Sequence, residues 1–448
     1  MKKLANFFNS LVQKYLPDPF VFAVILLVIV LLSAFIWTPT SPGEMIDHFG
    51  DGFWSLLAFT MQLSIVLITS SAIANTRFIK KYLAKLASIP KNPTQAVFTV
   101  AIVTSLVGII NWGIALVVGI IYAKEVAKQV KGTHYPLLIA ASYIGFTVWS
   151  SGLSSSIPLT LNTPDHPVEG INGIIPLTET IFTLHNLIIG LALILTYALV
   201  SRMLTPKEHE IIAIDSNKLI EDDNSSDFEQ KVDLKGKSLA FKLEHNRIIS
   251  SIAGIVCLLF FAKAIITGGV NAINLNTINM FTIGLGLLMY SGVKPYLEAA
   301  GGSIKSVTPL IILYPFYGAI QTMLAGSGLG EIVSNYFASI ATAETLPILT
   351  YLAAGFLNLF VPAAGGQIII QGPIFLPIAE QLGVPQGLIA MAITYGDTWT
   401  NLLQPFWALP ALALAGLGVR DIMGYCITAM LVSGVVTGVL LTILPIIL

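Results

Sequence analysis

Charge is scarce in this chain: 10% of its 448 residues are charged, while 55% are hydrophobic. Soluble domains carry about 25% charged residues. Water therefore cannot be the main solvent of this surface, and the lipid bilayer is the partner it requires. The formal net charge of −1 points to no nucleic-acid partner. Cysteine is almost absent. Cys257 and Cys426 stand inside apolar runs, with no disulfide framework and no metal-ligand spacing. The histidines, His48, His134, His166, His185, His209 and His245, never cluster. No HExxH, P-loop or GxSxG occurs, and Gly326-Ser327-Gly328-Leu329-Gly330 follows no strand that would make it a nucleotide loop. An enzyme working at membrane depth would need a nucleophile–base pair or a metal cluster, and His185 is the one histidine in an expected span. Neither a metal nor an organic cofactor is expected, only a coupling Na+ or H+.

What is present is a series of apolar runs. A spanning helix needs about 20 such residues. Candidate spans are 19–37, 53–74, 135–160, 181–203, 247–267, 273–291, 306–325, 386–417 and 421–447. The first follows Lys2, Lys3 and Lys14. It is too long for a signal-peptide core and lacks a small-x-small cleavage site, so it reads as a retained span.

Lysine and arginine mark the cytoplasmic side, which puts the N-terminus inside. Loop 38–52 has only acids, Glu44, Asp47 and Asp51, and lies outside. Segment 75–95 carries Arg77, Lys80, Lys81, Lys85 and Lys91, and segment 123–134 carries Lys124, Lys128 and Lys131. Both are inside, so the apolar stretch 96–122 enters and leaves on one side. It reads as a re-entrant hairpin turning at Asn111, Trp112 and Gly113, the alternative being one ordinary span that disobeys the charge rule. Loop 161–180 is outside. The polar connector 204–246 is inside, as are Lys294, Lys305 and Arg420. The stretch 346–373 then enters and leaves on the outside, turning near Pro362–Gly366.

The resulting order is a first membrane repeat, 1–203, with hairpin 96–122 and helix 135–160. The cytoplasmic connector 204–246 and a linking span, 247–272, follow. A second, inverted repeat, 273–448, carries hairpin 346–373 and helix 386–417. Local sequence agrees with that pairing: Tyr143 leads to Trp149-Ser150-Ser151, and Tyr395 leads to Trp399-Thr400-Asn401. The expected fold is an all-α polytopic membrane protein with an inverted-topology repeat. Such repeats with interrupted segments at matching positions belong to secondary transporters.

Pro158 and Pro405 lie where each repeat concentrates polar groups inside a span, and both helices should break there. Broken helices expose N–H groups that attract anions and carbonyls that attract cations. The expected substrate contacts are Asn111, Trp112, Gly113, Ser150, Ser151, Gly152 and Ser154 in the first repeat. In the second they are Asn358, Gly365, Gly366, Thr400, Asn401 and Gln404. Trp149, Trp399 and Trp407 sit beside the breaks, either shaping an apolar pocket or packing helices. Single serines there compete with an ordinary role as interhelical glue. No Lys or Arg lies between 132 and 201 or between 306 and 419. That suits a small monocarboxylate held by helix ends, hydroxyls and amides. Asp397 is the one acid deep in a span. With Asn111 and Asn358 it is the candidate for the coupling ion: it could carry a proton, help a sodium site or cap the break.

The chain resembles the bacterial short-chain fatty acid transporter family, associated with acetoacetate and butyrate uptake. The resemblance covers nearly the whole chain. It rests on Leu16–Pro19, Gly50–Trp54, Ile110–Gly113, Tyr135–Leu138, Tyr143–Phe146, Gly372-Pro373, Gln404–Pro410 and Gly416–Cys426. It implies inner-membrane import of short-chain monocarboxylates coupled to H+ or Na+, an elevator-like motion and a homodimer. Dicarboxylate transport, a channel and a membrane-embedded enzyme are the competing readings.

Overall fold

The computed structural model describes residues 19–214, 236–302, 304–359, 364–403 and 407–447. Every long element among them is a helix, and no strand occurs among these residues. That follows from the solvent: in lipid a backbone must satisfy its own hydrogen bonds, which a helix does within one segment.

The described chain opens with α1 (Pro19–Trp37), α2 (Pro42–Phe53), α3 (Leu57–Ala74) and α4 (Arg77–Leu86). It continues with α5 (Pro93–Ile110), α6 (Trp112–Gln129), α7 (Tyr135–Phe146), α8 (Ser156–Leu161) and α9 (Leu184–Met203). After the connector come α10 (Arg247–Gly268), α11 (Leu275–Met289), α12 (Val293–Gly301), α13 (Ile304–Gly326) and α14 (Leu329–Ile340). The chain closes with α15 (Leu346–Asn358), α16 (Ala364–Gln381), α17 (Gln386–Thr400), α18 (Ala408–Ala415) and α19 (Val419–Ile447).

Most expected spans meet a helix within a few residues of their ends. The helices not anticipated include α2, α4, α12 and α14. Each is short or amphipathic and so fails a test for long apolar runs. Loop 38–52 is mostly α2, started by a capping box in which Ser41 and Glu44 bond each other's backbone N–H. The stretch 96–122 proves to be two helices packed side by side, and they run past both bounds, from Pro93 to Gln129. Helix propagation continues into the polar turn holding Lys124, Glu125 and Lys128, because adding a turn to a formed helix is cheap.

The helices pack as two groups. One holds α1, α2, α3 and α10–α13. The other holds α5–α9 and α15–α19. They meet mainly where α6 lies on α3 and where α16 lies on α13 and α14. Burial separates the roles. Of Tyr135–Leu161, the α7–α8 stretch, all but Leu153 are buried, whereas of residues Leu239–Ala272 around α10 only Ser250 and Gly254 are. A helix coated on all sides by protein can afford a break in its hydrogen-bond ladder, and one facing lipid cannot. The connector's first residues turn back on the second group. Tyr135 N–H donates to Ile212 O, and Ile212 N–H donates to His134 Nδ1 at 3.0 Å.

Candidate functional site

The first break begins where α7 tightens into a 3-10 turn over Thr147–Ser151 and then becomes extended at Gly152. The freed backbone finds partners on the neighbouring hairpin. Leu153 N–H donates to Ile109 O at 2.7 Å, and Ser154 Oγ accepts the Trp112 N–H at 2.7 Å. A side chain at Gly152 would overlap the Ile109 backbone, so only glycine allows this approach. Ser155 Oγ donates to Ser150 O. Pro158 does not make the break, as the sequence suggested. It sits in the first turn of α8, where no intrahelical N–H is required, and the interruption precedes it.

The tip of the first hairpin is one residue, not the expected three. Asn111 N–H closes α5 on Val107 O, and Asn111 Oδ1 accepts the Ile114 N–H at 2.9 Å to cap α6. Trp112 and Gly113 already belong to α6. The amide oxygen of Asn111 is thereby committed to the cap.

Further along the chain, α15 ends at Asn358 and α16 starts at Ala364. Asn358 Nδ2 faces three acceptors at the second break: Asp397 O at 2.6 Å, Thr400 Oγ1 at 2.9 Å and Asn401 Oδ1 at 2.9 Å. Asn358 Oδ1 is buried with no hydrogen-bond partner among the described residues, and the Asp397 carboxylate is buried with the Asn401 side chain as its polar neighbour. Pro362, Gln404 and Pro405 lie outside the described residues. Gly365 and Gly366 fall in the first turn of α16.

These parts enclose a cavity. It is lined by Leu63 of α3, Trp112 of α6, Phe146, Trp149 and Ser156 around the first break, Tyr314 of α13, Ala364 and Gly365 of α16, and Trp407. Both hairpin tips and both breaks contribute. Its atom-free space is about 400 Å³, of which about 30 Å³ admits the centre of a water molecule. A cavity needs about 10–15 Å³ on that measure for one water. In this conformation it therefore holds very few atoms. Trp112 and Trp407 meet edge to face at 5.5 Å. The Trp149 indole N–H is buried with no acceptor. The cavity is thus lined mainly by aromatic rings, with Ser156 as a polar residue and no basic group among its described lining residues.

Of the expected contacts, Trp112 and Gly365 line this cavity, together with Trp149 and Trp407. Asn111, Ser150, Ser151, Gly152, Ser154, Asn358, Thr400 and Asn401 instead build its frame. Trp399 is a packing residue: it stacks on Tyr351 at 5.0 Å, and its Nε1–H donates to Met430 O. Sequence reasoning missed Phe146, Ser156, Leu63 and Tyr314, which chain position alone does not bring together. It also missed Asn186. Asn186 Nδ2 donates to Ser151 O at 3.0 Å and Ile181 O at 2.6 Å, while its Oδ1 accepts from Tyr395 at 2.6 Å. Tyr143 in turn donates to Asn401 O at 2.9 Å. Each tyrosine thus braces the region around the break that follows the other. The paired tyrosines were visible in the sequence; their crossing was not.

The model of the short chain fatty acid transporter family matches residues 1–444. The chain belongs to that family. It is 41% identical over 434 residues to a short-chain fatty acid transporter of Escherichia coli (strain K12), covering 97% of this chain and 98% of that protein. A protein of the same name from Haemophilus influenzae is 39% identical over 438 residues, covering 96% of this chain and 97% of that one. Among solved structures, the YdaH transporter of Alcanivorax borkumensis superposes with a TM-score of 0.56 at 15% identity, over 94% of this chain and 98% of that one. That likeness shows the fold: a multi-pass helical membrane protein. The family's members are transporters, not enzymes.

Proposed function

We propose that this protein carries short-chain monocarboxylates such as butyrate and acetoacetate across the bacterial inner membrane, driven by a gradient of H+ or Na+. One observation carries the reading: both hairpin tips and both helix breaks border a single aromatic cavity whose polar groups include the unpartnered Trp149 indole N–H. A carboxylate entering it would accept from that N–H and from Ser156. Its short acyl chain would lie against Phe146, Trp112 and Trp407. Two or more carboxylates would leave a desolvated charge without a partner, and burying such a charge is costly.

Coupling belongs to Asp397, with Asn358 beside it. A charged carboxylate at that depth, with only the Asn401 amide beside it, costs several kcal/mol. Bringing a proton or Na+ to it removes that cost, and Asn358 Oδ1 supplies a further free acceptor. The reciprocal bracing by Tyr143 and Tyr395 supports two repeats of opposite sense moving as one body. The limited contact of that body with α3 and α13 supports an elevator-like motion. The N-terminus is assigned to the cytoplasm and the protein to a homodimer.

The test is uptake into proteoliposomes. Butyrate should accumulate against its gradient when an inward H+ or Na+ gradient is imposed. Succinate uptake without butyrate uptake overturns the substrate class, and single-channel currents overturn the carrier.

A further inference from the structure

We infer that the surface formed by α4 and the adjoining ends of α5 and α9 binds an anionic phospholipid. At 100° per residue, α4 sorts its side chains into two arcs. Phe78, Ile79, Tyr82, Leu83 and Leu86 share one; Lys81 and Lys85 lie on the other. Leu83 is buried against the molecule, but Phe78, Tyr82 and Leu86 are 58%, 54% and 37% exposed. The helix is held in place along α6. Tyr122 Oη donates to Leu86 O at 3.3 Å, and Gln129 Nε2 donates to Ala84 O at 2.9 Å. The uncovered side chains are therefore a fixed ledge, with the Phe78 and Tyr82 rings in contact at 4.7 Å. Ile89, 59% exposed, extends it.

The ledge leads into a groove of about 880 Å³ whose walls include Ile89, Lys91, Phe98 and Arg202. Lys91 comes from the turn before α5 and Arg202 from the last turn of α9, so two separate elements bring a cation to one space. The groove opens at the end of an apolar stripe on α9, where Leu191, Leu195 and Leu199 are 59%, 48% and 49% exposed.

Charge complementarity names the occupant. From residue 52 to residue 124 the sequence has no acid. The next one, Glu125, is engaged by Lys128 at 2.7 Å. Lys81, Lys85, Lys91 and Arg202 are all exposed. An anion satisfies the cations, and acyl chains satisfy the aromatic ledge and the leucine stripe. A soluble phosphate would leave the apolar half wet, and a zwitterionic lipid would leave the charge uncompensated. A phospholipid with net negative charge meets both demands. Its phosphate lies between Lys91 and Arg202, and its chains lie along α9 and α5.

Lipid retention by the purified full-length protein, read by native mass spectrometry, tests this. Phosphatidylglycerol and phosphatidylcholine of equal chain length are supplied together. The wild type should retain the anionic lipid preferentially. Each basic group near an anionic surface contributes about 1 kcal/mol, or about fivefold. K91Q/R202Q should thus lower the preference by about 25-fold. F78A/Y82A should lower retention of both lipids while the ratio persists. K263Q, which alters an exposed lysine on α10, should change neither. Equal retention of the two lipids by the wild type overturns the inference, as does an unchanged ratio in K91Q/R202Q. An equal loss in K263Q overturns it too. Displacement of the lipid by inorganic phosphate would reassign the groove to a soluble anion.

Discussion

Each hairpin tip presses a glycine against the other group of helices, and this contact can be challenged by one methyl group. A Cβ at Gly365 would lie 2.5 Å from Phe59 Cζ and 3.0 Å from the Tyr314 hydroxyl. A Cβ at Gly113 would lie 2.7 Å from the Cβ of Ser70. Carbon atoms rest at about 3.5–4.0 Å. Gly365→Ala therefore pushes the Phe59 ring back by roughly 1 Å or tilts the tip away. Overpacking of this size costs about 1–3 kcal/mol, or about 5- to 150-fold in a conformational equilibrium. The penalty falls on this conformation alone if the tip slides past α3 during transport. The assay is a double-mutant cycle on butyrate uptake with Gly365→Ala, Phe59→Ala and both. Gly365→Ala should slow uptake, and Phe59→Ala should restore most of the rate by opening the space the methyl needs. Gly113→Ala with Ser70→Gly is the matching cycle on the first hairpin. Strict additivity in both cycles would refute the reasoning, because a steric penalty must vanish when its partner is removed.

Other outcomes follow from the same geometry. Trp149→Phe keeps the ring and deletes the N–H. A hydrogen bond to a charged group is worth about 1.5–3 kcal/mol, so the butyrate Kd should rise by about 10- to 150-fold, read by titration calorimetry. Asp397→Asn removes the ionisable oxygen, so gradient-driven accumulation should be lost while butyrate exchange persists; full accumulation would remove Asp397 from coupling. Asn186→Ala strands Ser151 O, Ile181 O and the Tyr395 hydroxyl, and each buried orphan costs about 1–3 kcal/mol, so thermal stability should fall clearly. His166 offers a pH test in the loop after α8. Its Nε2 bonds Gly173 O, its Nδ1 is buried without a partner, and burial holds the ring below its usual 6.5. A base depressed by folding binds more protons when unfolded, so stability rises with pH through that window and falls as pH drops below about 6.5. Proteolysis within 161–180 should speed up from pH 7 to pH 5, and His166→Gln should flatten the response.

The sequence by itself determined the solvent and most of the long apolar helices, because apolar runs of bilayer length have few other uses. It also marked the polar stretch after Tyr143 where α7 gives way, although it put that break at Pro158 and the structure places it earlier, at Gly152. The turn at Asn111, the glycines at 113 and 365 and the paired tyrosines were all legible as local signals. Which side chains share the cavity was decided only by the tertiary structure. Phe146, Ser156, Leu63 and Tyr314 sit on elements far apart in the chain, and no spacing rule joins them. The structure also moved residues from one role to another. Ser154 and Asn111 turned out to satisfy freed backbone groups, and Trp399 to fill space between α15 and α19. The physical reason is common to all of these. A helix break in a membrane must find hydrogen-bond partners within the protein, and only the packed fold reveals which polar groups are consumed in that task and which remain for a ligand.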